Sequence, residues 1–219
     1  MKVLIFGATG RTGQHLTTMA AARGLQVLAA GRDQARLQAL QGVADAVALD
    51  LFDDQQVVST VRALVPDVII STVGAGPSER RMVDEDGNNA ISNAAAACGV
   101  RRVLQVSSLA CGDSRAYASE RIIAAIGPVL EAKTRAEDHL RALDLDWTII
   151  RPGGLTEGEP TGNGALYEDP RVHGRINRAD LAEMVLKCLD APGSIKRVLA
   201  TVDRTTLPLE PADLREFQL

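Results

Sequence analysis

Aromatic residues are scarce: one Trp, two Tyr and three Phe serve a chain of 219 residues that is 46% hydrophobic. The core must therefore be built from Ala, Val, Leu and Ile, a bias that suits a parallel sheet covered by Ala-rich helices. Cysteine is as sparse. Cys98, Cys111 and Cys188 are odd in number, widely spaced and free of any CxxC pattern, so they point to neither a disulfide framework nor a zinc site. Long apolar runs are missing too. Nothing approaches the ~20 uninterrupted residues of a membrane span, and the apolar start over residues 3–6 is too short for a signal peptide and stops at Gly7. A cytoplasmic protein with no membrane partner is expected. An excess of one charge is also lacking. The 24 Lys and Arg and 28 Asp and Glu are well mixed, for a net charge of −4, which leaves no electrostatic footprint for nucleic acid. His15, His139 and His173 are scattered without metal-ligand spacing, so no metal is expected. GxSxG, HExxH and P-loop patterns are absent, which removes the footing for hydrolase and nucleoside-triphosphatase chemistry.

What is present is an alternation. Residues 3–6 form a buried-strand pattern that runs into glycines and then a helical pattern over 14–23. Further strands are expected at 26–30, 43–49, 67–72, 102–107, 146–150 and 196–202. Between them lie helices at 34–40, 55–64, 89–98, 130–143 and 180–189, and a Gly-Pro turn at 74–77. Leu130, Ala136, Leu140 and Leu143 share one side of the longest helix. Residues 156–174, rich in Gly, Pro and acidic side chains, read as a long surface loop with a binding role. Strands and helices in this order require right-handed crossovers. The expectation is an α/β fold: one Rossmann-type domain over residues 1–219, a doubly wound parallel sheet with helices on both faces.

The first strand-to-helix turn is Gly7-Ala8-Thr9-Gly10-Arg11-Thr12-Gly13. Glycine there permits positive φ and close backbone approach, while the free N–H groups of a helix start bind phosphate. Thr9, Arg11 and Thr12 add hydroxyls and a cation. The second strand ends in Ala30-Gly31-Arg32-Asp33, near where the adenosine ribose of a dinucleotide lies. An acidic residue first in that place would favour the 2′-hydroxyl of NAD. Arg32 suits a 2′-phosphate instead, so NADP(H) is the expected cofactor, and Arg11 adds a cation to the same preference.

The blocks GATGRTG, AGRD, ALDLFD, VLQVSSL, EAKTRAEDHLRALDLDWTIIRPGGL and INRADLAEMV stand in an order that spans nearly the whole chain. In this the sequence resembles the atypical short-chain dehydrogenase/reductases, the group that includes biliverdin-IXβ/flavin reductases and NmrA-like proteins. The resemblance implies further cofactor contacts from Asp50 and Leu51 near adenine, Val73 and Gly74 along the adenosine side, and Pro152, Gly153, Gly154 and Leu155 near the nicotinamide. It also implies catalytic roles for Ser107 or Ser108 and for Lys133, the lysine of the family's Tyr-x-x-x-Lys pair, which binds the nicotinamide ribose. The pattern breaks at Val129, where the proton-donating tyrosine would stand. Tyr117, with Arg121 at the same spacing, and His173, beside Tyr167, Arg171 and Arg175, are secondary candidates.

Hydride transfer needs proximity and orientation, and an acceptor protonated by solvent needs no side-chain acid. The leading expectation is an NADPH-dependent reductase of a small conjugated acceptor, working as a monomer or small homo-oligomer. Its acceptor pocket would be built from residues 74–77, the segment after Ser108 and residues 156–174. A rival is a non-catalytic NADP(H) sensor resembling NmrA-like proteins, for which a lost tyrosine costs nothing. A sugar-nucleotide epimerase or dehydratase is disfavoured, because such enzymes need the tyrosine and a larger substrate domain.

Overall fold

Strand β1 (Lys2–Phe6) is buried on both sides. Val3 and Ile5 enter one apolar cluster, and Leu4 and Phe6 enter another across the sheet. The period of two does this, and a strand covered on both faces has no polar side to show. The computed structural model describes residues 1–74, 82–208 and 214–219. After β1 come α1 (Arg11–Ala22), β2 (Gln26–Gly31), α2 (Gln34–Gln38), β3 (Val43–Ala48), α3 (Asp54–Leu64), β4 (Val68–Ser71), α4 (Asp86–Cys98) and β5 (Arg102–Val106). A 3-10 turn (Gly112–Tyr117) then leads to α5 (Glu120–Ala142), β6 (Asp146–Pro152), β7 (Gly154–Thr156), β8 (Gly164–Tyr167), β9 (Arg175–Asn177), α6 (Arg178–Asp190) and β10 (Arg197–Asp203).

The main sheet runs β3-β2-β1-β4-β5-β6-β10-β8, all parallel except β8. Helices α1 and α6 pack together over one face, while α3, α4 and α5 pack in sequence over the other. The expected doubly wound α/β fold is therefore the fold observed. Strand order reverses between β1 and β4, which opens a crevice at the carboxyl ends of those two strands.

Two regions differ from the sequence expectation. Residues 156–174 are not loop throughout: Gly164–Tyr167 is buried and pairs antiparallel with β10, Tyr167 opposite Ala200. Four residues sufficed because the edge of a large sheet supplied the partner, while the acidic and Gly-rich flanks hid the short apolar run. Gly154–Thr156 and Arg175–Asn177 also form a small parallel sheet of their own. Helix α5 starts ten residues early, at Glu120 instead of Leu130, capped by Ser119. Pro128 lies inside it and Ile126 leaves helical geometry (φ −137°, ψ 16°), so the expected start marks a kink.

Candidate cofactor and active site

The glycine turn sits at the crevice. Gly7 has φ +79°, and a Cβ added there would stand 2.8 Å from Thr72 Oγ1. At Gly13 an added Cβ would overlap the Gly7 carbonyl oxygen, so α1 can approach the turn only without a side chain. Gly10 is the N-cap of α1, and no side chain caps this helix. The first-turn N–H groups are thus left for a ligand at the positive end of the helix dipole. Thr9 is buried, and its carbonyl accepts from Gln14 Nε2 at 3.0 Å and Arg36 Nη2 at 2.5 Å. A cleft of about 160 Å³ opens from the turn, lined by Gly7, Thr9, Gly10, Gly31, Arg32, Arg36, Leu49, Leu51, Val73 and Gly74 among others. Backbone donors, apolar walls and a cationic end fit a phosphorylated dinucleotide.

Arg36 is the cation that sequence reading missed. One turn of α2 places it beside Arg32 on the cleft wall, and Asp33 caps that helix by accepting from Arg36 N at 3.1 Å. An Arg four residues after another at a helix start was the available signal. Asp50, by contrast, is exposed; its Oδ1 accepts from Phe52 N, and Leu49 and Leu51 are the neighbours that reach the cleft.

Beyond Gly74 the site passes under α5, where charge is buried. Glu137 and Arg151 have side chains only 1% and 5% exposed, and Arg151 donates through Nε and Nη2 to both Glu137 oxygens, the shortest bond being 2.6 Å. Its Nη1 pairs with Asp113. Burial draws the guanidinium's pKa down, but the Glu137 and Asp113 carboxylates outweigh it, so the net shift is upward. Ser107 Oγ donates to Glu137 Oε1 at 2.5 Å. A carboxylate held by an arginine fork only accepts, so the single Ser107 proton is committed to that bond and its lone pairs are what remain. Cys111, buried alongside, has its thiol pKa pushed up by burial and by the Glu137 charge. Ser108 is half-buried and outside this network, with no partner among the described residues.

Lys133, one turn before Glu137, is not a surface lysine. Its Nζ lies 2.8 Å from Asp84 Oδ1, with side chains 13% and 0% exposed. The main chain of Asp84 is tied in turn, because Asn88 Nδ2 donates to its carbonyl and Ser71 Oγ donates to Asn88 Oδ1. Val129, where the tyrosine would be, is half-buried. Tyr117 is about half exposed at the end of the 3-10 turn. His173 is half-buried, and Tyr167 is buried in β8.

Pro152 ends β6, and Gly153, between β6 and β7, donates its N–H to Thr201 O. Gly154 and Leu155 open β7 and are exposed. Arg11 is paired with another element: its Nη1 lies 2.9 Å from Glu157 Oε1, which also accepts from Arg178 at 2.5 Å. Arg178 has its pKa lowered by burial first and by the Arg11 charge second, with Glu157 opposing. The segment after Ser108 and the 156–174 stretch meet around a recess of about 180 Å³ lined by Leu109, Asp113, Arg151, Tyr167, Asp169 and Ala200. The third expected wall contributes Gly74, and its residues 75–77 lie outside the described residues.

A glycine turn at the switch point of a doubly wound sheet, facing an uncapped helix and an apolar cleft, defines a dinucleotide-binding α/β protein. The chain belongs to the NAD(P)H-binding family, which it matches over residues 7–192. ChuY, an anaerobillin reductase from Escherichia coli O157:H7, is 31% identical and superimposes with a TM-score of 0.85 over 97% of this chain and 100% of that one. The oxidoreductase ylbE from Lactococcus lactis is 26% identical, with a TM-score of 0.84 over 93% and 91%. From Bacillus subtilis, the uncharacterized sugar epimerase YhfK is 32% identical over 212 residues, covering 94% of this chain and 96% of its own. Among the described residues no helix is long and apolar enough to cross a membrane, and no group of three His, Cys, Asp or Glu could hold a metal ion. The family does not fix the compartment, since relatives include a chloroplast protein of Arabidopsis thaliana, 29% identical over 229 residues, 94% of this chain and 78% of its own.

Proposed function

We propose that the protein is an NADPH-dependent oxidoreductase that delivers hydride to a small conjugated acceptor: a flavin, quinone, tetrapyrrole or related carbonyl compound. The observation that carries this is the pair Arg32 and Arg36 on the wall of the cleft that the glycine turn also lines. Two guanidiniums suit a 2′-phosphate. When bound, the cofactor supplies a hydride from its nicotinamide. The chain supplies the rest. Amides at the start of α1 hold the pyrophosphate, Leu49, Leu51 and Val73 flank the adenine, and Lys133 meets the nicotinamide ribose beside Gly74. Pro152 to Leu155 cover the nicotinamide. Ser108 offers the acceptor a hydroxyl, while Ser107, bound to Glu137, serves to position.

With Val129 in place of an acid, the acceptors favoured are those whose reduced form spreads its charge and takes a proton from water. The name of the B. subtilis relative points to sugar epimerisation instead. Oxidising a sugar hydroxyl requires a base for its proton, and Val129 offers none. The sensor reading shares the cofactor site and differs in turnover.

Titrating NADPH and NADH into the wild type and into Arg32→Ala and Arg36→Ala tests the cofactor assignment. Each substitution is expected to weaken NADPH about tenfold or more, from the ~1.5–3 kcal/mol of a charged hydrogen bond, and to leave NADH unchanged. Equal wild-type affinity for both cofactors removes the NADP assignment. Steady oxidation of NADPH with at least one flavin, quinone or tetrapyrrole is expected. Tight NADPH binding with no oxidation across that panel favours the sensor.

A further inference from the structure

We propose that Arg11, Glu157 and Arg178 form a triad whose one net positive charge draws the cofactor's pyrophosphate to the start of α1, with Glu157 holding the affinity below what the two arginines alone would give. The inference rests on the cofactor reading above. Glu157 Oε1 lies 2.9 Å from Arg11 Nη1 and 2.5 Å from Arg178 Nη1, so one carboxylate serves two guanidiniums. Arg11 is the first residue of α1, directly after its N-cap Gly10, which puts the triad at the helix end proposed to hold the pyrophosphate.

A helix start is the positive end of the dipole, where a carboxylate stabilises and a cation does not. Helices α3, α4, α5 and α6 follow this, with Asp54, Asp86, Glu120 and Asp180 in their first turns, and α2 is capped by Asp33. Among the described α-helices α1 alone has neither an acidic first turn nor an acidic cap, and it opens on Arg11. Glu157 comes from another element to offset that cation, but its charge is divided. Arg178 is only 9% exposed, and a guanidinium so buried needs a counter-charge of its own. Burial lowers its pKa, the Arg11 charge lowers it further, and Glu157 is the charge that opposes them. Asp180, two residues on, is turned instead to Thr161 and the Gly162 amide. Two positive charges thus share one negative charge beside the phosphate site, and a pyrophosphate brings the missing counter-charge.

Glu157 is fixed independently of Arg11. Its segment is pinned to the start of α6, where Asn177 Nδ2 donates to the carbonyls of Gly158 and Glu159 at 2.8 and 3.2 Å. Removing Arg11 therefore leaves a neutral Glu157–Arg178 pair, and removing the Glu157 charge leaves two unopposed guanidiniums. A unit charge about one turn from the phosphates, screened as a partly exposed group is, changes affinity about three- to tenfold. The pyrophosphate is common to NADPH and NADH, so both cofactors respond alike.

Titration calorimetry with NADPH and NADH on the intact chain, at about 0.05 M and about 0.5 M salt, tests this. Glu157→Gln keeps an acceptor for both arginines while removing the charge, and is expected to tighten both cofactors about three- to tenfold at the lower salt. Arg11→Ala and Arg178→Gln are each expected to weaken both by a similar factor, and Arg11→Ala combined with Glu157→Gln to return within about threefold of wild type. The changes should shrink at the higher salt and leave the preference between the two cofactors as it is. If Glu157 serves only to hold its segment, losing its charge weakens binding or leaves it alone, so either result in Glu157→Gln overturns the proposal. A change confined to NADPH also overturns it, because it would place the triad at the 2′-phosphate. If Glu157→Gln fails to fold, the exposed Arg11 decides: weaker binding of both cofactors in Arg11→Ala supports the proposal, and unchanged affinity overturns it. A wild type that binds neither cofactor overturns the cofactor reading itself, an outcome distinct from variants that bind as the wild type does.

Discussion

The two ends of the cleft satisfy their polar groups in opposite ways. Like α4, but unlike α2, α3, α5 and α6, which are capped by Asp33, Asp53, Ser119 and Asn177, the N-terminus of α1 at the glycine turn carries no side-chain cap. Its donors wait for an anion from outside the chain. Under α5 the donors and acceptors already satisfy one another: Arg151 with Glu137 and Asp113, Ser107 with Glu137, Lys133 with Asp84. The proposed phosphate site therefore depends on backbone shape, which a missing ligand does not destabilise. The region under α5 depends on charges that must balance before any ligand arrives, and substitutions there act first on stability.

The largest effect should come from breaking that balance. Arg151→Met leaves Glu137 charged and buried, and should cost about 3–5 kcal/mol in urea unfolding. Replacing Glu137 by Leu in the same chain should restore much of the loss, because an apolar pair needs no compensation. At the exposed end of the network the expectation reverses. Asp113 is 68% exposed, and Asp113→Asn should shift stability by no more than about 1 kcal/mol. A small loss from Arg151→Met would contradict the contrast between the two ends.

The glycine turn should break differently. In Gly13→Ala the new methyl meets the Gly7 carbonyl, which is backbone and cannot rotate away. Separating the turn from α1 should cost about 1–3 kcal/mol of stability. The larger consequence is for binding, since the displaced turn no longer fits the pyrophosphate, and NADPH titration should show no saturable binding where the wild type saturates. Wild-type affinity in Gly13→Ala would mean that the turn does not carry the phosphates.

The same contrast explains what the sequence could disclose. The turn was legible because its requirements are local: three glycines, a preceding apolar strand and a following helix all lie within residues 3–22. The alternation of strands and helices was legible for the same reason, down to Leu130, Ala136 and Leu140 on the buried side of α5. The charged pairs were not. Ser107 and Glu137 are 30 residues apart and the bonded Ser71 and Asn88 are 17 apart, so only the fold brings such partners together. Glu137 carried no signal of its own on the α5 helix, and Lys133 was nominated through the family resemblance without its partner Asp84, because burial of a charge is decided by a partner on another element. Strand β8 escaped for a related reason: its four residues gain their stability from β10, 33 positions away where Tyr167 meets Ala200.

Arg11 gives the smallest effect and the finest separation between motif and structure. Its place within the glycine turn nominates it for the 2′-phosphate, yet its guanidinium is paired with Glu157 while Arg32 and Arg36 stand on the cleft wall. The Arg11 and Glu157 side chains are 70% and 52% exposed, a setting in which an ion pair is worth at most about 1 kcal/mol. Glu157 also keeps Arg178 when Arg11 is lost. Arg11→Ala should therefore leave the unfolding midpoint nearly unchanged and preserve the preference for NADPH over NADH, whereas Arg32→Ala and Arg36→Ala diminish it. A tenfold loss of NADPH affinity in Arg11→Ala with NADH untouched would mean that the guanidinium leaves Glu157 for the phosphate when cofactor binds, and that the cationic end of the cleft extends across the turn.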